Sequence, residues 1–513
     1  MGEAPVVNLT IEGRPVSVPA GTSILEAAKL AGILIPHYCY HPGLPVAGVC
    51  RMCLVHVDKS PKLAPSCATA VADGQVVHVY SDDALEARKG VLEMLLINHP
   101  LDCPICDQSG ECELQDYTFQ EGRADSRYRE PKRFNPVEDF GGDVMYVPNR
   151  CILCTRCVRF MEDVHKEPVL NVSERGDRAY IGKAADVDLT QPWAANVVDL
   201  CPVGALLSKD FLNKARAWEL DRTASVCTGC SQGCNIIFET RDNVVVRVKP
   251  RSNDDVNKFF ICDHGRLNYR WINRPDRLEA PMLDGSGAAP KMVDWEIAIA
   301  GAARLLAGKR AYVVANPSLS NEALFLLKRL IRKTGGSGHF RVQTGPEAPL
   351  PGVQDLALRA DRAANVAGAR LFGFTQDANP LSGLSRGDVL VIADDDLSGL
   401  RPDAIGSADA AIVIATVAPQ GIRPSVVLPI ANVAEEEGTL SNLRGRVQRF
   451  LQAKAAPGLA RPSWFVLSDL LHALGEHAEY TTASAVFDGL ASAEAPFAGL
   501  SYDTLALRGE ILK

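Results

Sequence analysis

The sequence lacks the features that mark membrane-spanning, secreted and nucleic-acid-binding proteins. Its most notable uncharged stretch, residues 30–50, is interrupted by Pro36, Pro42 and Pro45, so it cannot form a bilayer-spanning helix. The N-terminal sequence MGEAPVVNLTIEGRP has neither a basic segment nor an apolar core, and we expect no secretory signal and a reducing compartment. With 54 basic and 62 acidic residues the formal net charge is -8, which gives no basic footprint for nucleic acid.

Nucleotide-binding motifs are also missing. No G-x-G-x-x-G follows a strand-like segment, and the Gly-Lys pairs at Gly182 and Gly308 lack the Ser or Thr that completes a P-loop. We therefore expect that this chain does not oxidise NADH by itself.

Cysteine is confined to one part of the chain. All fifteen cysteines lie between Cys39 and Cys262, and the chain continues to residue 513 without another. An odd number of cysteines in a reducing compartment argues for metal ligation rather than for a disulfide framework. At roughly 150 residues per domain, the chain is long enough for about three or four domains.

The first four cysteines form a C-x10-C-x2-C-x13-C pattern. Residues 6–11 and 15–18 alternate in polarity around a turn and predict a hairpin, and Ser23 and Glu26 form a capping-box pattern that opens a short helix ending at Gly32. A hairpin, a helix and then a cysteine loop is the order of a β-grasp ferredoxin, which holds a [2Fe-2S] cluster with four thiolates. The first predicted set is Cys39, Cys50, Cys53 and Cys67.

The second group, in the sequence HPLDCPICDQSGEC, contains only three cysteines. A cubane cluster needs a fourth ligand, and His99 precedes Cys103 with three residues between them. A lone histidine is more often packed or exposed than a ligand, but the missing ligand and the local spacing favour ligation here. The second predicted set is His99, Cys103, Cys106 and Cys112.

The third group has the C-x2-C-x2-C and distant C-P arrangement of bacterial-type [4Fe-4S] ferredoxins, with Pro202 after its last cysteine. The third predicted set is Cys151, Cys154, Cys157 and Cys201. Arg150, Arg156 and Arg159 crowd the triplet. They either offset the negative charge of a cluster or form an ordinary solvated face, and the sequence leaves both interpretations open.

The fourth group follows a C-x2-C-x3-C-x27-C pattern and gives the predicted set Cys227, Cys230, Cys234 and Cys262. Zinc is the alternative throughout, because C-x2-C pairs also build zinc ribbons. Fifteen cysteines and His99 fill four sets of four with none left over, which favours four clusters over isolated zinc sites.

The motifs NHPLDCPICDQSGEC, RCILCTRCVRF and NVVDLCPVGAL, in this order after the first set, resemble the large iron-sulfur subunits of respiratory complex I. The resemblance is dense from about residue 5 to 275 and continues through RPDRLEAPML and VVLPIANVAEEEGTLSNLRGRVQRF. It implies one [2Fe-2S] cluster in the first set and a [4Fe-4S] cluster in each of the other three.

The resemblance also implies a function and its partners. The chain would relay electrons through its clusters from an FMN- and NADH-binding flavoprotein subunit toward quinone-site subunits of a proton-translocating NADH:quinone oxidoreductase. It would lie peripherally at the cytoplasmic face of the bacterial inner membrane, attached only through partner subunits. No catalytic residue is expected in this chain alone.

The C-terminal part resembles a shortened molybdopterin oxidoreductase domain. Residues 311–315, 388–393 and 411–415 predict buried parallel strands, and residues 321–332 predict a helix between them. In molybdenum enzymes of this kind the last cysteine of the fourth set begins the pattern C-x-K-G, whereas here the sequence is Cys262-Asp263-His264-Gly265. We therefore expect a structural module without molybdenum. The Glu and Gly residues at 435–438 suit a cofactor loop or a solvated turn, and we favour the solvated turn.

The predicted fold class is multidomain α+β with a C-terminal α/β module. The predicted domains are a β-grasp [2Fe-2S] domain at 1–85, a [4Fe-4S] domain with one histidine and three cysteine ligands at 86–125, a ferredoxin-like [4Fe-4S] domain at 126–219, a molybdopterin-oxidoreductase-type [4Fe-4S] domain at 220–276 and the shortened α/β domain at 277–513.

Two other hypotheses remain. A catalytic subunit of a formate dehydrogenase or an iron-only hydrogenase can share the first three cluster motifs, but the cysteine-free C-terminal part counts against both. A zinc-stapled scaffold is the non-redox alternative.

Overall fold

The computed structural model describes residues 5–284, 290–400 and 408–512. The first four residues and the last, which the predicted terminal domains include, lie outside the described residues. The chain divides into two compact units. The N-terminal unit comprises Met1–Leu220 and Leu350–Gln354, and the C-terminal unit comprises Asp221–Pro349 and Asp355–Lys513. The finer division into five domains stays a prediction.

The N-terminal unit consists of short strands and helices joined by long loops that carry the cysteines. Its strands are β1 Val6–Ile11, β2 Arg14–Pro19, β3 Leu54–Val57, β4 Ala64–Pro65, β5 Val76–His78, β6 Glu138–Gly141, β7 Val144–Tyr146, β8 Leu170–Ser173, β9 Tyr180–Lys183 and β10 Leu206–Ser208. Its helices are α1 Ile24–Leu30, α2 Asp82–Leu96, α3 Glu113–Glu121, α4 Arg156–Arg159 and α5 Asn196–Leu200.

Residues 6–78 contain a mixed five-stranded sheet in the order β2-β1-β5-β3-β4, with β1 and β5 parallel. The predicted hairpin is confirmed by β1 and β2. Helix α1 begins after Ser23, whose Oγ accepts the backbone N–H of Glu26 at 3.2 Å. The predicted capping box is only half formed, because Glu26 Oε1 instead accepts the hydroxyl of Tyr40 at 2.8 Å. Helix α1 thereby connects to the residue that follows Cys39.

Two smaller sheets complete the N-terminal unit. The order β10-β7-β6 makes a three-stranded antiparallel sheet, and β8 pairs with β9. The first strand of the C-terminal unit begins only at Asp221. The loop before α4 and the loop after α5 therefore lie within one compact unit, and these loops carry the third set of cysteines.

The C-terminal unit is larger and richer in regular structure. Its strands are β11 Asp221–Val226, β12 Asn235–Arg241, β13 Val244–Pro250, β14 Met282–Leu283, β15 Lys291–Met292, β16 Ala311–Ala315, β17 Ser337–Phe340, β18 Ala348–Pro349, β19 Ala357–Leu358, β20 Thr375–Gln376, β21 Val389–Ala393, β22 Ala410–Ala415, β23 Val426–Pro429, β24 Gly438–Ser441, β25 Arg446–Phe450 and β26 Glu510–Ile511. Its helices are α6 Asp263–Leu267, α7 Trp295–Leu306, α8 Asn321–Thr334, α9 Val366–Leu371, α10 Ser463–Ala473, α11 Ala483–Ala493 and α12 Tyr502–Leu505.

An eight-stranded sheet in the order β15-β14-β23-β22-β21-β16-β17-β20 forms the centre of this unit. The strands from β23 to β20 run parallel, which confirms the three predicted parallel strands and the α/β class. Helix α8 confirms the predicted helix and begins with Ser320 Oγ accepting the N–H of Ala323. It ends at Gly335, whose φ of +63° suits the left-handed C-terminal position. No helix among the described residues is long and apolar enough to cross a membrane.

The interpretation of residues 435–438 as a solvated turn is wrong. The Glu435 side chain is fully buried and accepts hydrogen bonds from Nη1 and Nη2 of Arg277 at 2.8 and 2.7 Å. The Nζ of Lys454 lies 3.4 Å from Oε1 of Glu435. Glu436 is also buried, where it accepts the backbone N–H and the hydroxyl of Ser463. These glutamates find their partners in distant segments, and the local sequence does not reveal those partners.

We predict that Glu435→Gln strongly destabilises the C-terminal unit. Removing one partner of a buried ion pair typically costs about 3–5 kcal/mol, because the remaining cation is left uncompensated. Glu437→Gln is the matched control, since Glu437 is 37% exposed and pairs with Arg449 at 3.3 Å; an exposed pair contributes about 0.2–1 kcal/mol. Calorimetric unfolding of the full chain measures both, and equal losses of stability would contradict the prediction.

Candidate metal centres

The structure brings the first predicted set together on the loops between α1 and β5. Cys39, Cys53 and Cys67 are buried and Cys50 is partly buried. The Cys39 N–H donates to Cys50 Sγ at 3.4 Å, which is a bond that stabilises a thiolate. Hydrogen bonds from the Cys50 and Cys67 thiols lower the pKa of Cys39, and a hydrogen bond with Cys67 lowers the pKa of Cys53 to about 7. The four sulfur atoms therefore form one interacting group.

The third set lines a small cavity. Leu153 and Thr155 adopt left-handed φ values of 51° and 61°, which turn the C-x2-C-x2-C loop so that its thiols face inward. Burial raises the pKa of Cys154 to about 12, and the nearby Cys201 and Cys151 thiols add to the shift. All four predicted ligands of this set line the same cavity, which is walled otherwise mainly by apolar side chains.

In the second set, Cys106 and Cys112 are buried and Cys103 is exposed. Burial raises the pKa of Cys112 to about 12, and the neighbouring Cys106 and Cys103 thiols raise it further. These three cysteines therefore lie close together, with Cys112 at the N-terminal end of α3.

His99 has the properties of a neutral nitrogen ligand. Burial lowers its pKa to about 4, and the positive charge of Arg150 lowers it further. Its Nδ1 is buried without a hydrogen-bond partner. Burial raises the pKa of the Cys106 thiol, and the positive charge of the same Arg150 partly opposes that rise. The His99 imidazole and the Cys106 thiol therefore share Arg150 as a neighbour. A buried unpartnered nitrogen is costly unless a metal or an unseen group binds it.

The fourth set lies within the C-terminal unit, and all four of its cysteines are buried. Cys227 follows β11 and Cys262 precedes α6, where its sulfur accepts the N–H of Gly265 at 3.3 Å. Burial raises the pKa of Cys227 to about 12, and the nearby Cys230 thiol adds to the shift. Gly265 leaves room for the sulfurs, because a Cβ there would lie 3.0 Å from Cys227 Sγ and 3.5 Å from Cys262 Sγ.

The arginines beside the third set are buried, so the interpretation as a solvated face is wrong. Arg156 Nη2 donates to the carbonyl of Tyr40 at 2.7 Å. Arg159 Nη2 donates to the carbonyls of Cys39 at 2.5 Å and Cys154 at 3.2 Å. The third set is therefore tied directly to the loop of the first. The sequence signal for this contact was only the density of arginines around the triplet.

The third set also touches the second. A Cβ at Gly204, in the C-P-V-G segment after Cys201, would collide with Cys106 Sγ. Arg150 donates to Asp102 Oδ2 at 3.0 and 2.9 Å, which joins the segment before Cys151 to the segment before Cys103. Within the N-terminal unit the loop of the third set therefore contacts the loops of both the first and the second set.

The donor chemistry fits iron-sulfur clusters. Buried thiols with raised pKa values stay protonated until a metal replaces the proton, and metal coordination supplies the compensation that burial removes. Among the described residues no three His, Cys, Asp or Glu side chains are close enough to hold a single metal ion. Ligands of a cluster bind several iron atoms rather than one shared ion.

An open cleft of about 470 Å³ lies at the carboxyl edge of the parallel sheet in the C-terminal unit. Asn316, Asp394 and Thr416, which follow β16, β21 and β22, line one side. Gly229 and His264, which neighbour the fourth set, line another. His264 stands where the C-x-K-G pattern would place a lysine, and burial lowers its pKa.

Five sequence-family models match this chain in succession. They are described as a 2Fe-2S iron-sulfur cluster binding domain at residues 4–82, the NADH-ubiquinone oxidoreductase-G iron-sulfur binding region at 88–127, the ferredoxin-like domain of NADH-quinone oxidoreductase subunit 3 at 141–207, the molybdopterin oxidoreductase Fe4S4 domain at 220–274 and molybdopterin oxidoreductase at 407–473.

Similar proteins carry related names. The mitochondrial NADH-ubiquinone oxidoreductase 78 kDa subunit of Candida albicans is 43% identical over 336 residues, 64% of this chain and 46% of that protein. The NADH-quinone oxidoreductase G subunit of Rickettsia felis is 39% identical over 339 residues, 65% and 50% of the two chains. A chain from a solved NAD+-reducing [NiFe]-hydrogenase in the H2-reduced state is 31% identical and covers 41% of this chain and 90% of that chain, with a TM-score of 0.38.

The matched domains define an iron-sulfur protein in which 2Fe-2S and 4Fe-4S cluster-binding domains precede a molybdopterin oxidoreductase module. Within this class, the chain is a homologue of the large iron-sulfur subunit of NADH-quinone oxidoreductase, the G subunit of the bacterial complex, as the sequence motifs predicted. The chain spans about half the length of the relatives it matches.

We predict that Gly204→Ala lowers the iron content of the second and third sets, by up to two four-iron clusters, because its Cβ displaces Cys106 Sγ or the loop of Cys201. Gly265→Ala crowds Cys227 and Cys262 less severely and should affect only the fourth set. Iron per chain after anaerobic purification measures both. Gly90→Ala is the control, since a Cβ at this position in α2 meets open space. Full iron in Gly204→Ala would show that the loops adapt freely.

Proposed function

We propose that the chain is an electron-relay subunit of a proton-translocating NADH:quinone oxidoreductase. It conducts electrons from a flavin-bearing partner that oxidises NADH toward subunits that bind quinone. The observation that carries the proposal is the contact of the third thiol set with both neighbouring sets inside one compact unit, through Arg159 on one side and Gly204 on the other.

The proposed ligands are the four predicted sets, with a [2Fe-2S] cluster in the first and [4Fe-4S] clusters in the others. When bound, these clusters supply one-electron carriers. The chain's own residues hold the thiolates in place, exclude water from them and set their electrostatic surroundings. Backbone N–H groups donate to sulfur in the first, third and fourth sets, for example from Leu153 to Cys151 at 3.4 Å.

The C-terminal module is proposed to be structural. Its cleft adjoins the fourth set, but His264 replaces the expected lysine and we expect neither molybdenum nor pterin there. The proposed partners are the FMN- and NADH-binding flavoprotein and quinone-site subunits of the peripheral arm. Attachment to the cytoplasmic face of the inner membrane would occur only through these subunits.

Metal analysis tests the cofactor proposal. One [2Fe-2S] and three [4Fe-4S] clusters correspond to about 14 iron atoms per chain. We expect anaerobically purified protein to approach this value, with matching acid-labile sulfide and no stoichiometric molybdenum. Stoichiometric zinc with little sulfide would instead support a zinc scaffold, and molybdenum with formate-dependent dye reduction would support a catalytic subunit.

His99→Ala should remove one low-potential paramagnetic signal and spare the other three, because the second set loses its fourth ligand. His99→Cys should restore a cluster with a lower potential, since a thiolate adds negative charge where imidazole is neutral. The matched control is His165→Ala, because His165 is also buried and has a pKa lowered by burial but belongs to no predicted set. Unchanged spectra in His99→Ala would make His99 a packing residue.

The isolated chain should be reduced by dithionite but not by NADH, and addition of the flavin-bearing subunits should make its reduction depend on NADH. In the assembled complex, Cys154→Ala should abolish NADH-to-quinone transfer, because the proposed relay passes through the third set, whose loop contacts the loops of the first and second sets. NADH-to-ferricyanide activity at the flavin should persist and serves as the control for assembly. NADH oxidation by the isolated chain at a useful rate would refute the assignment.

A further inference from the structure

Arg159 is a buried cation whose hydrogen bonds go only to neutral oxygens. It is 9% exposed. Its guanidinium donates to the carbonyls of Cys39, Cys154 and Pro45, and its Nε donates to Thr155 Oγ1 at 3.3 Å. In the part of the chain that the structure describes, no carboxylate forms an ion pair with it. A buried charge without an opposite charge is costly, so Arg159 requires negative neighbours of another kind.

The neighbours available are the first and third thiol sets. Nη2 of Arg159 donates to the carbonyl of Cys39 in the first set and to the carbonyl of Cys154 in the third. Arg159 and Cys39 are 120 residues apart in the sequence. Burial lowers the pKa of Arg159, while the nearby Cys154 and Cys39 sulfurs oppose that change. Thiolates that hold iron-sulfur clusters carry net negative charge, which compensates the cation on both sides.

Arg156 adds a second positive charge on the same short helix, α4. It is 5% exposed and donates to the carbonyls of Tyr40 at 2.7 Å and Leu200 at 3.3 Å. These carbonyls adjoin Cys39 of the first set and Cys201 of the third. Glu113, at 3.7 Å, compensates Arg156 in part, so Arg159 carries the less compensated charge.

We propose that the positive charge of Arg159, together with that of Arg156, raises the reduction potentials of both the first and the third site. The inference rests on the proposed ligand sets. The reduced form of each site is one unit more negative than the oxidised form, so a fixed cation between the sites stabilises reduction of both. Burial strengthens the effect, because the low-dielectric interior screens the charge weakly.

The test is a redox titration of the assembled complex, in which the paramagnetic signals of the sites are followed separately. Arg159→Gln should shift the reduction equilibrium of both the first and third sites at least tenfold toward the oxidised form, about 59 mV for a one-electron couple. The second site should shift by less. Arg159→Lys keeps the charge and should restore most of both potentials. Arg156→Gln should shift the same two sites in the same direction by a smaller factor.

Arg88→Gln is the control for loss of a buried arginine in the same unit. Arg88 is fully buried, pairs with Glu121 and donates to the carbonyl of Val79, away from the cysteines, so this change should move neither potential. If Arg159→Gln loses iron, the reduction potentials of the first and third sites in Arg159→Lys and Arg156→Gln test the proposal instead.

The outcomes separate this inference from the proposed function. Full iron with unchanged potentials in Arg159→Gln, or a shift confined to one site, would overturn the shared charge. An equal shift in Arg159→Gln and Arg159→Lys would also overturn it, because hydrogen bonding rather than charge would then set the potentials. Absence of both signals from the wild-type protein would refute the ligand sets themselves.

Discussion

Compensation of charge inside the protein is the constraint on which the N-terminal unit depends. A group of buried thiolates is stable only when metal and nearby cations neutralise it, and a buried guanidinium is stable only beside negative charge. Arg156 and Arg159 meet both requirements at once, since they lie on one short helix between two thiol sets. If the proposed sites hold clusters, the residues that join the two loops also set the electrostatics of these sites.

Short elements with unusual backbone geometry make this arrangement possible. Leu153 and Thr155 take left-handed conformations, and Gly204 leaves space for Cys106 Sγ. Such positions store a little strain or give up a side chain, and they occur where loops must converge on a site. The many loops of the N-terminal unit are consistent with a protein whose ligands, rather than long helices or strands, hold its segments together.

The C-terminal unit follows a different principle. A parallel sheet of buried Val, Ile and Ala residues forms its centre, and buried ion pairs such as Arg277 with Glu435 join the segments around it. Its cleft lies at the carboxyl edge of the strands, where α/β folds commonly bind ligands. The proposed structural role of the module follows from the departure at His264 rather than from the fold.

The sequence by itself determined the features that depend on local spacing. The cysteine groups, the β1–β2 hairpin, the parallel strands and the homology to the complex I iron-sulfur subunits could all be read from it, because ligand spacing, periodicity and turn residues are local signals. Only the tertiary structure decided which cysteine loops contact one another, the burial of the arginines and of Glu435, and the half-formed cap at Glu26. Each of these depends on a partner outside the local segment: Arg159 meets Cys39 across 120 residues and Arg277 meets Glu435 across 158. Local patterns carry no information about such contacts, because folding alone selects which distant charges and carbonyls share one interior.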